Sequence, residues 1–200
     1  MTGLPGDTAK KALATLARVL ALRPGFLRIY PTLVIAGTKL ATLFQAGEYA
    51  PMTLAEAVRL CKIMLHAALA AGVKVIRIGL QPTGELESAG TILAGPYHPA
   101  FRQLVESALC YDLLYKLTGE IAAEVLVTVF CAHAGVSDIT GQGQCNLQRL
   151  ERELGASVAA VRTDPTLAPR EIRVASVQGE KKGNIVRDLD YTAEGASYAR

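Results

Sequence analysis

Four cysteines, Cys61, Cys110, Cys131 and Cys145, are the first residues to weigh, because three clustered thiolates could hold an iron-sulfur cluster and a C-x-x-C pair could hold zinc. Their spacing suits neither. They read as reduced, mostly buried thiols of a cytoplasmic protein. Gly3-Leu4-Pro5-Gly6-Asp7-Thr8 is more informative. A glycine and proline turn that leads into a helix lets backbone approach a ligand closely, and the same turn also serves purely structural ends in many folds. Arg77 stands in an apolar strand, where a charge must be paired or must emerge at the mouth of the sheet or barrel. His98, between Pro96 and Pro99 on a rigid segment, is a candidate to meet a substrate or to start the following helix. His66 shares a helix face with Arg59 and Lys62 and reads as solvated, while His133 has no second ligand at metal spacing.

The elements that position these residues follow from periodicity. Leu13, Leu16, Ala17 and Leu20 place an apolar stripe on a helix over 8–22, ended by Pro24 and Gly25. Phe26 to Tyr30 predicts a short strand, Pro31 to Gly37 a loop, and Thr38 caps a short helix. Thr53 and Glu56 form a capping box that opens a strong helix, stopped by Gly72. Val73 to Leu80 reads as a parallel strand buried on both faces. Residues 81–97 read as loop, and a helix runs from Pro99 to about Leu117. Beyond it come a strand over 125–130, a helix over 146–154, and strands over 157–162 and 172–174.

This order is α/β, with a boundary near Gly119 and a second, small α+β unit. The expected domains are 1–118 and 119–178, with a mobile tail over 179–200 that is poor in large apolar residues. The 200 residues are half apolar, ample for a buried core. The net charge of +3 is spread along the chain, without the basic block of a general nucleic-acid or membrane binder. No apolar run reaches the roughly 18 residues of a membrane-spanning helix, so no membrane partner is expected.

Gly3 to Thr8, then Arg28-Ile29-Tyr30-Pro31-Thr32 with Gly37-Thr38, then Ile76 to Thr83, and finally Gly95-Pro96-Tyr97-His98-Pro99-Ala100-Phe101, together resemble the last strands of a radical S-adenosylmethionine (SAM) barrel. The resemblance is to the Elongator-protein-3-like kind, with methylthiotransferases and oxygen-independent coproporphyrinogen oxidase as more distant relatives. It covers residues 1–117 and implies the C-terminal portion of a partial (β/α) barrel. It further implies that Gly3, Leu4, Pro5 and Gly6 pack against the adenosine of SAM, with Tyr30, Pro31 and Leu33 flanking the adenine. Arg77, Gln81 and His98 would then face substrate. Full-length relatives use SAM and a [4Fe-4S] cluster to modify RNA or another substrate.

The family's C-x-x-x-C-x-x-C loop is absent here, and Met1 stands where the family is past its midpoint. Neither cofactor is therefore expected to bind stably to this chain alone, and the chain by itself is not expected to cleave SAM. The expected partner is the missing N-terminal barrel half, or another chain that covers the apolar barrel edge.

Residues 136–156 resemble the helix, glycine loop, helix core of a KH domain, which implies a KH-like unit and possible RNA contact at Gly141, Gln142, Gly143 and Gln144. The second glycine is displaced and the loop holds no Lys or Arg. A KH-like scaffold without strong RNA binding fits those departures better than a working clamp. The alternative to the enzyme reading is thus a non-enzymatic RNA-binding or partner-docking module.

Overall fold

The computed structural model describes residues 1–84, 86–121 and 126–191. The chain divides into two compact units, 1–102 and 103–200. The division falls at the start of the helix over 101–119, where the sequence suggested its end.

In the first unit, helix α1 (Ala9–Ala21) starts on the Thr8 side chain, which accepts the Lys11 backbone N–H. Strand β1 (Phe26–Ile29) follows, then β2 (Val34–Ile35) and helix α2 (Lys39–Gln45) with Thr38 as its cap. Helix α3 (Leu54–Ala70) begins on the capping box of Thr53 and Glu56, with both reciprocal bonds formed. It packs against α1, β1 and the next strand, β3 (Lys74–Ile78). β1 and β3 pair in parallel, and a parallel bridge from Thr2 to Pro31 places the chain start on the other side of β1.

Three expectations need correction here. The stretch over 73–80 is not buried on both faces, because Val75 and Ile78 face the helices while Lys74, Ile76 and Arg77 lie exposed. The expected loop segments contain a small antiparallel ladder, β2 with β4 (Ile92–Ala94), over a satellite core of Val34, Ala41 and Tyr49. His66 is buried rather than solvated, because α3 is covered on more of its circumference than a single stripe, with Leu65, Met64 and Ala68 also inside.

In the second unit, α4 (Phe101–Gly119) supplies Val105, Leu109, Leu113 and Leu114 to the core. Strand β5 (Leu126–Cys131) alternates, with Val127, Val129 and Cys131 inward. Short helix α5 (Val136–Thr140) and helix α6 (Cys145–Leu154) lead to β6 (Ser157–Thr163), which pairs parallel to β5. β7 (Glu171–Ser176) and β8 (Gly179–Asn184) complete an antiparallel extension, giving the order β6-β5-β7-β8.

The tail expected over 179–200 is thus not a tail over its first part. β8 pairs with β7 along its whole length, and α7 (Ile185–Asp188) buries Ile185. Residues 192–200 lie outside the described residues. Backbone pairing orders β8 although its side chains are polar, and lysines on an edge strand discourage further pairing. Among the described residues no helix is long and apolar enough to cross a membrane.

Candidate functional site at the strand ends

Three segments meet at the carboxyl ends of the parallel strands β1 and β3, two of them leaving those strands and the third joined by the Thr2 bridge. The Thr2 N–H donates to the Tyr30 carbonyl at 3.0 Å and the Thr32 N–H to the Thr2 carbonyl at 2.9 Å, which sets the Gly3 to Gly6 turn beside Tyr30 to Leu33. The Gly79 N–H donates to the Ile29 carbonyl at 2.9 Å, so Gly79 to Gln81 emerge next to them. A fourth segment joins the same end. A Cβ on Gly95 would stand 3.0 Å from the Thr32 carbonyl oxygen, and one on Gly79 would stand 2.9 Å from Phe101. The Gly95 to Phe101 segment therefore lies against both strand exits. In open parallel sheets and barrels alike, ligands bind outside the carboxyl ends of the strands.

The turn itself is held by Asp7, whose carboxylate accepts the Gly3 N–H at 2.8 Å and the Thr8 N–H at 2.8 Å. Lys11 Nζ donates to the Gly6 carbonyl at 2.6 Å. Gly3 is fixed from behind: the Tyr49 hydroxyl donates to its carbonyl at 2.5 Å, and a Cβ there would lie 2.6 Å from Met52 Cε. Leu4, Pro5 and Gly6 are exposed, and nothing stands within 4 Å of a Cβ on Gly6. That leaves an apolar lip with open space beside it. Tyr30 is half-buried at the same end, whereas Pro31 is buried by the Thr2 bridge and Leu33 packs on Gly95. The segment predicted to flank a ligand is thus divided, with Tyr30 outward and its two neighbours in packing contacts.

Of the proposed substrate residues, Arg77 and Gln81 are exposed. His98 Nδ1 accepts the Ala100 N–H at 3.1 Å and its carbonyl accepts the Phe101 N–H at 3.0 Å, the bonds of a residue that starts α4. Arg28 carried no sequence signal of its own. The register places it directly opposite Arg77. Tyr49 was also illegible, since only the fold brings it to Gly3.

The glycine segment of the second unit is built differently. Gly141 is buried, and a Cβ on it would meet Cys145 Sγ at 2.6 Å and the Asn146 side chain at 3.1 Å. Asn146 Nδ2 donates to the carbonyls of Ser107, Asp138 and Ile139 at 3.1, 3.1 and 3.2 Å and lies 3.0 Å from Ser107 Oγ. These bonds take up carbonyls at the C-terminal end of α5 and fasten the turn to α4. Gln142, Gly143 and Gln144 are exposed.

The cysteines do not suit a cluster. Burial pushes the Cys61 thiol up to about 12 and raises that of Cys110 further, and each lies inside a helix among core residues. Cys131 is also buried and raised, and Cys145 alone is exposed. Among the described residues no three His, Cys, Asp or Glu side chains come together as a metal-binding group. The open lip of Leu4 to Gly6 beside Tyr30 leaves room for a flat heteroaromatic ring such as the adenine of SAM to lie by its face against apolar side chains.

No curated protein matches the chain significantly. A family model described as the Radical_SAM C-terminal domain matches residues 24–110, a span that contains β1 to β4 and the first half of α4. Over residues 24–110, the chain is similar to the Radical_SAM C-terminal domain family.

Proposed function

We propose that the first unit supplies part of the wall of a SAM site in a radical SAM enzyme of the Elongator-protein-3-like kind. The observation that carries this reading is the convergence of Gly3 to Gly6 with Tyr30 and Gly79 to Gln81 at the carboxyl ends of β1 and β3, two strands that lie inside the span similar to the Radical_SAM C-terminal domain. Leu4, Pro5 and Gly6 form the lip against the adenosine and Tyr30 flanks the adenine, while Gly3, Pro31 and Leu33 hold those residues in place. Arg77 and Gln81 face substrate, and His98 orients the start of α4.

In such enzymes the [4Fe-4S] cluster supplies the electron that cleaves SAM. This chain's cysteines do not provide for the cluster, so the reading assigns it to barrel strands on a preceding segment or a partner chain. Supporting this, Phe26 is 58% exposed and Ile76 is 39% exposed on the sheet face away from α3. RNA is the proposed class of substrate by family resemblance.

Calorimetric titration of the whole chain with SAM tests the wall. Weak saturable binding, reduced about tenfold in Tyr30→Ala, is expected, a loss of about 1.4 kcal/mol. Equal binding by the variant and the parent, or none by the parent, refutes the assignment.

A second reading, a KH-like RNA-binding unit, is favoured by the exposed turn of Gln142, Gly143 and Gln144 between α5 and α6. Titration with single-stranded RNA at two salt concentrations separates the two. Affinity that does not fall with salt, or no affinity, removes this reading.

A further inference from the structure

The face of the β1–β3 sheet turned away from α3 carries an arrangement of charge that packing does not explain. Along β1 the burial alternates so that Leu27 and Ile29 turn to the helices while Phe26 and Arg28 turn outward. On β3, Val75 and Ile78 turn inward, three positions apart rather than two. The cause is a register shift between Leu27 and Arg28, which leaves Ile76 as an extra residue and pairs Arg28 with Arg77. In an uninterrupted strand Arg77 would share the face of Val75 and enter the core. The irregularity re-aims it, so that two arginines are register partners on adjacent strands and both are exposed. Bulges are used in this way to re-aim side chains beside functional sites.

Like charges directly opposite one another in a sheet are destabilising. Relief would normally come from a carboxylate, and none is at hand. Neither Arg28 nor Arg77 has an ion pair or hydrogen bond among the described residues. No Asp or Glu occurs over 23–32 or 72–82, the two strands with their flanks. Lys74, opposite Phe26, adds a third cation to the same face. Tyr30, the outward residue at the site, lies two positions beyond Arg28 on the same strand, about 7 Å away.

We infer that Arg28 and Arg77 form a two-guanidinium clamp for a phosphoryl group carried by the substrate that meets SAM at the strand-end site. The inference deepens the proposed function and rests on its reading of the strand ends as a ligand site. Guanidinium forks match the oxygens of phosphate two at a time, and two forks with Lys74 nearby suit a dianion better than a single carboxylate. The anion would convert the repulsion of the pair into attraction.

The test is titration of the whole chain with inorganic phosphate at constant ionic strength, read from backbone amide shifts of β1 and β3. Sodium acetate serves as the carboxylate arm. Saturable shifts at Ile29 and Ile78 are expected with phosphate and much weaker ones with acetate. Arg28→Gln and Arg77→Gln should each weaken phosphate about tenfold, and Arg18→Gln, an exposed cation on α1, should leave it unchanged.

Absence of saturation in the parent overturns the clamp, as does equal weakening by Arg18→Gln. Equal response to acetate overturns the phosphoryl assignment. Both Gln variants remove only exposed side chains, and unchanged amide positions elsewhere show that they fold. Because no nucleoside is present, phosphate binding can succeed where SAM binding fails, or the reverse, which keeps the two readings distinct.

Discussion

Replacing Asn146 by alanine should be among the most damaging polar substitutions in the second unit. Its amide has two hydrogens and addresses three carbonyls and one hydroxyl within 3.0 to 3.2 Å, at a residue only 7% exposed. Removing both donors leaves at least two buried acceptors without partners, each worth about 1 to 3 kcal/mol, so a loss of about 2 to 6 kcal/mol is expected. With the usual urea slope of about 1 to 3 kcal/mol per molar, the midpoint should fall on the order of 2 M. Urea unfolding followed by far-ultraviolet circular dichroism measures it. Asn146→Leu fills the same volume without donors and should lose nearly as much, which separates hydrogen bonding from cavity formation. Asn146→Asp sets a carboxylate against the same oxygens. Because the charged form is disfavoured in the fold, its deficit should shrink as the pH falls and the acid becomes a donor. An Asn146→Ala loss below about 0.5 kcal/mol would refute the account of Asn146 as the fastener of this turn.

Two further outcomes can be stated. Gly79→Ala places a Cβ 2.9 Å from Phe101 at φ +77°, so steric overlap adds to backbone strain, and a loss of about 2 to 4 kcal/mol is expected by thermal or urea unfolding. Gly6→Ala, at φ +73° with nothing within 4 Å, carries the strain alone and should cost about 1 to 2 kcal/mol. Near-equal losses at the two positions would contradict this separation. Asp164 accepts from the Thr166 hydroxyl and N–H and from Arg173, which together hold its carboxyl at about 2 against an ordinary 3.8. A depressed folded value means that its stabilisation is present above pH 3.8 and is lost as the pH falls toward 2. Asp164→Asn should flatten that part of the acid-unfolding curve, and an unchanged slope would count against the network.

How much of this was legible depended on whether local chemistry or distant packing decides an element. Helix α3 was readable because the Thr53 and Glu56 capping box announces its start within four residues, and α1 because Thr8 caps a regular stripe. β8 was illegible for the opposite reason. Gly179 to Asn184 holds no large apolar residue, and its order comes from backbone pairing to β7. β2 and β4 are two and three residues long and take their structure from each other. His66 was misread since the cover over α3 comes from elements that a single helical stripe does not reveal. At the strand ends, Gly3 to Gly6 and Arg77 stood out by residue type. The partnership of Arg28 with Arg77 needed the register shift, which composition cannot show.

The two glycine segments look alike in sequence and differ in what surrounds them. In each, the first glycine is pinned, Gly3 on Met52 and Gly141 on Cys145, while a later one, Gly6 or Gly143, opens on empty space. The difference lies in the neighbours. The Gly3 to Gly6 turn follows the Thr2 bridge beside Tyr30, with an exposed Leu4 and Pro5 and two unpaired arginines on the adjacent sheet face. The Gly141 to Gln144 turn leaves the C-terminal end of α5, where backbone carbonyls offer partial negative charge, and it holds no cation. Exposed cations therefore distinguish the surroundings of the first turn from those of the second. The second turn serves as a fastening between α4, α5 and α6.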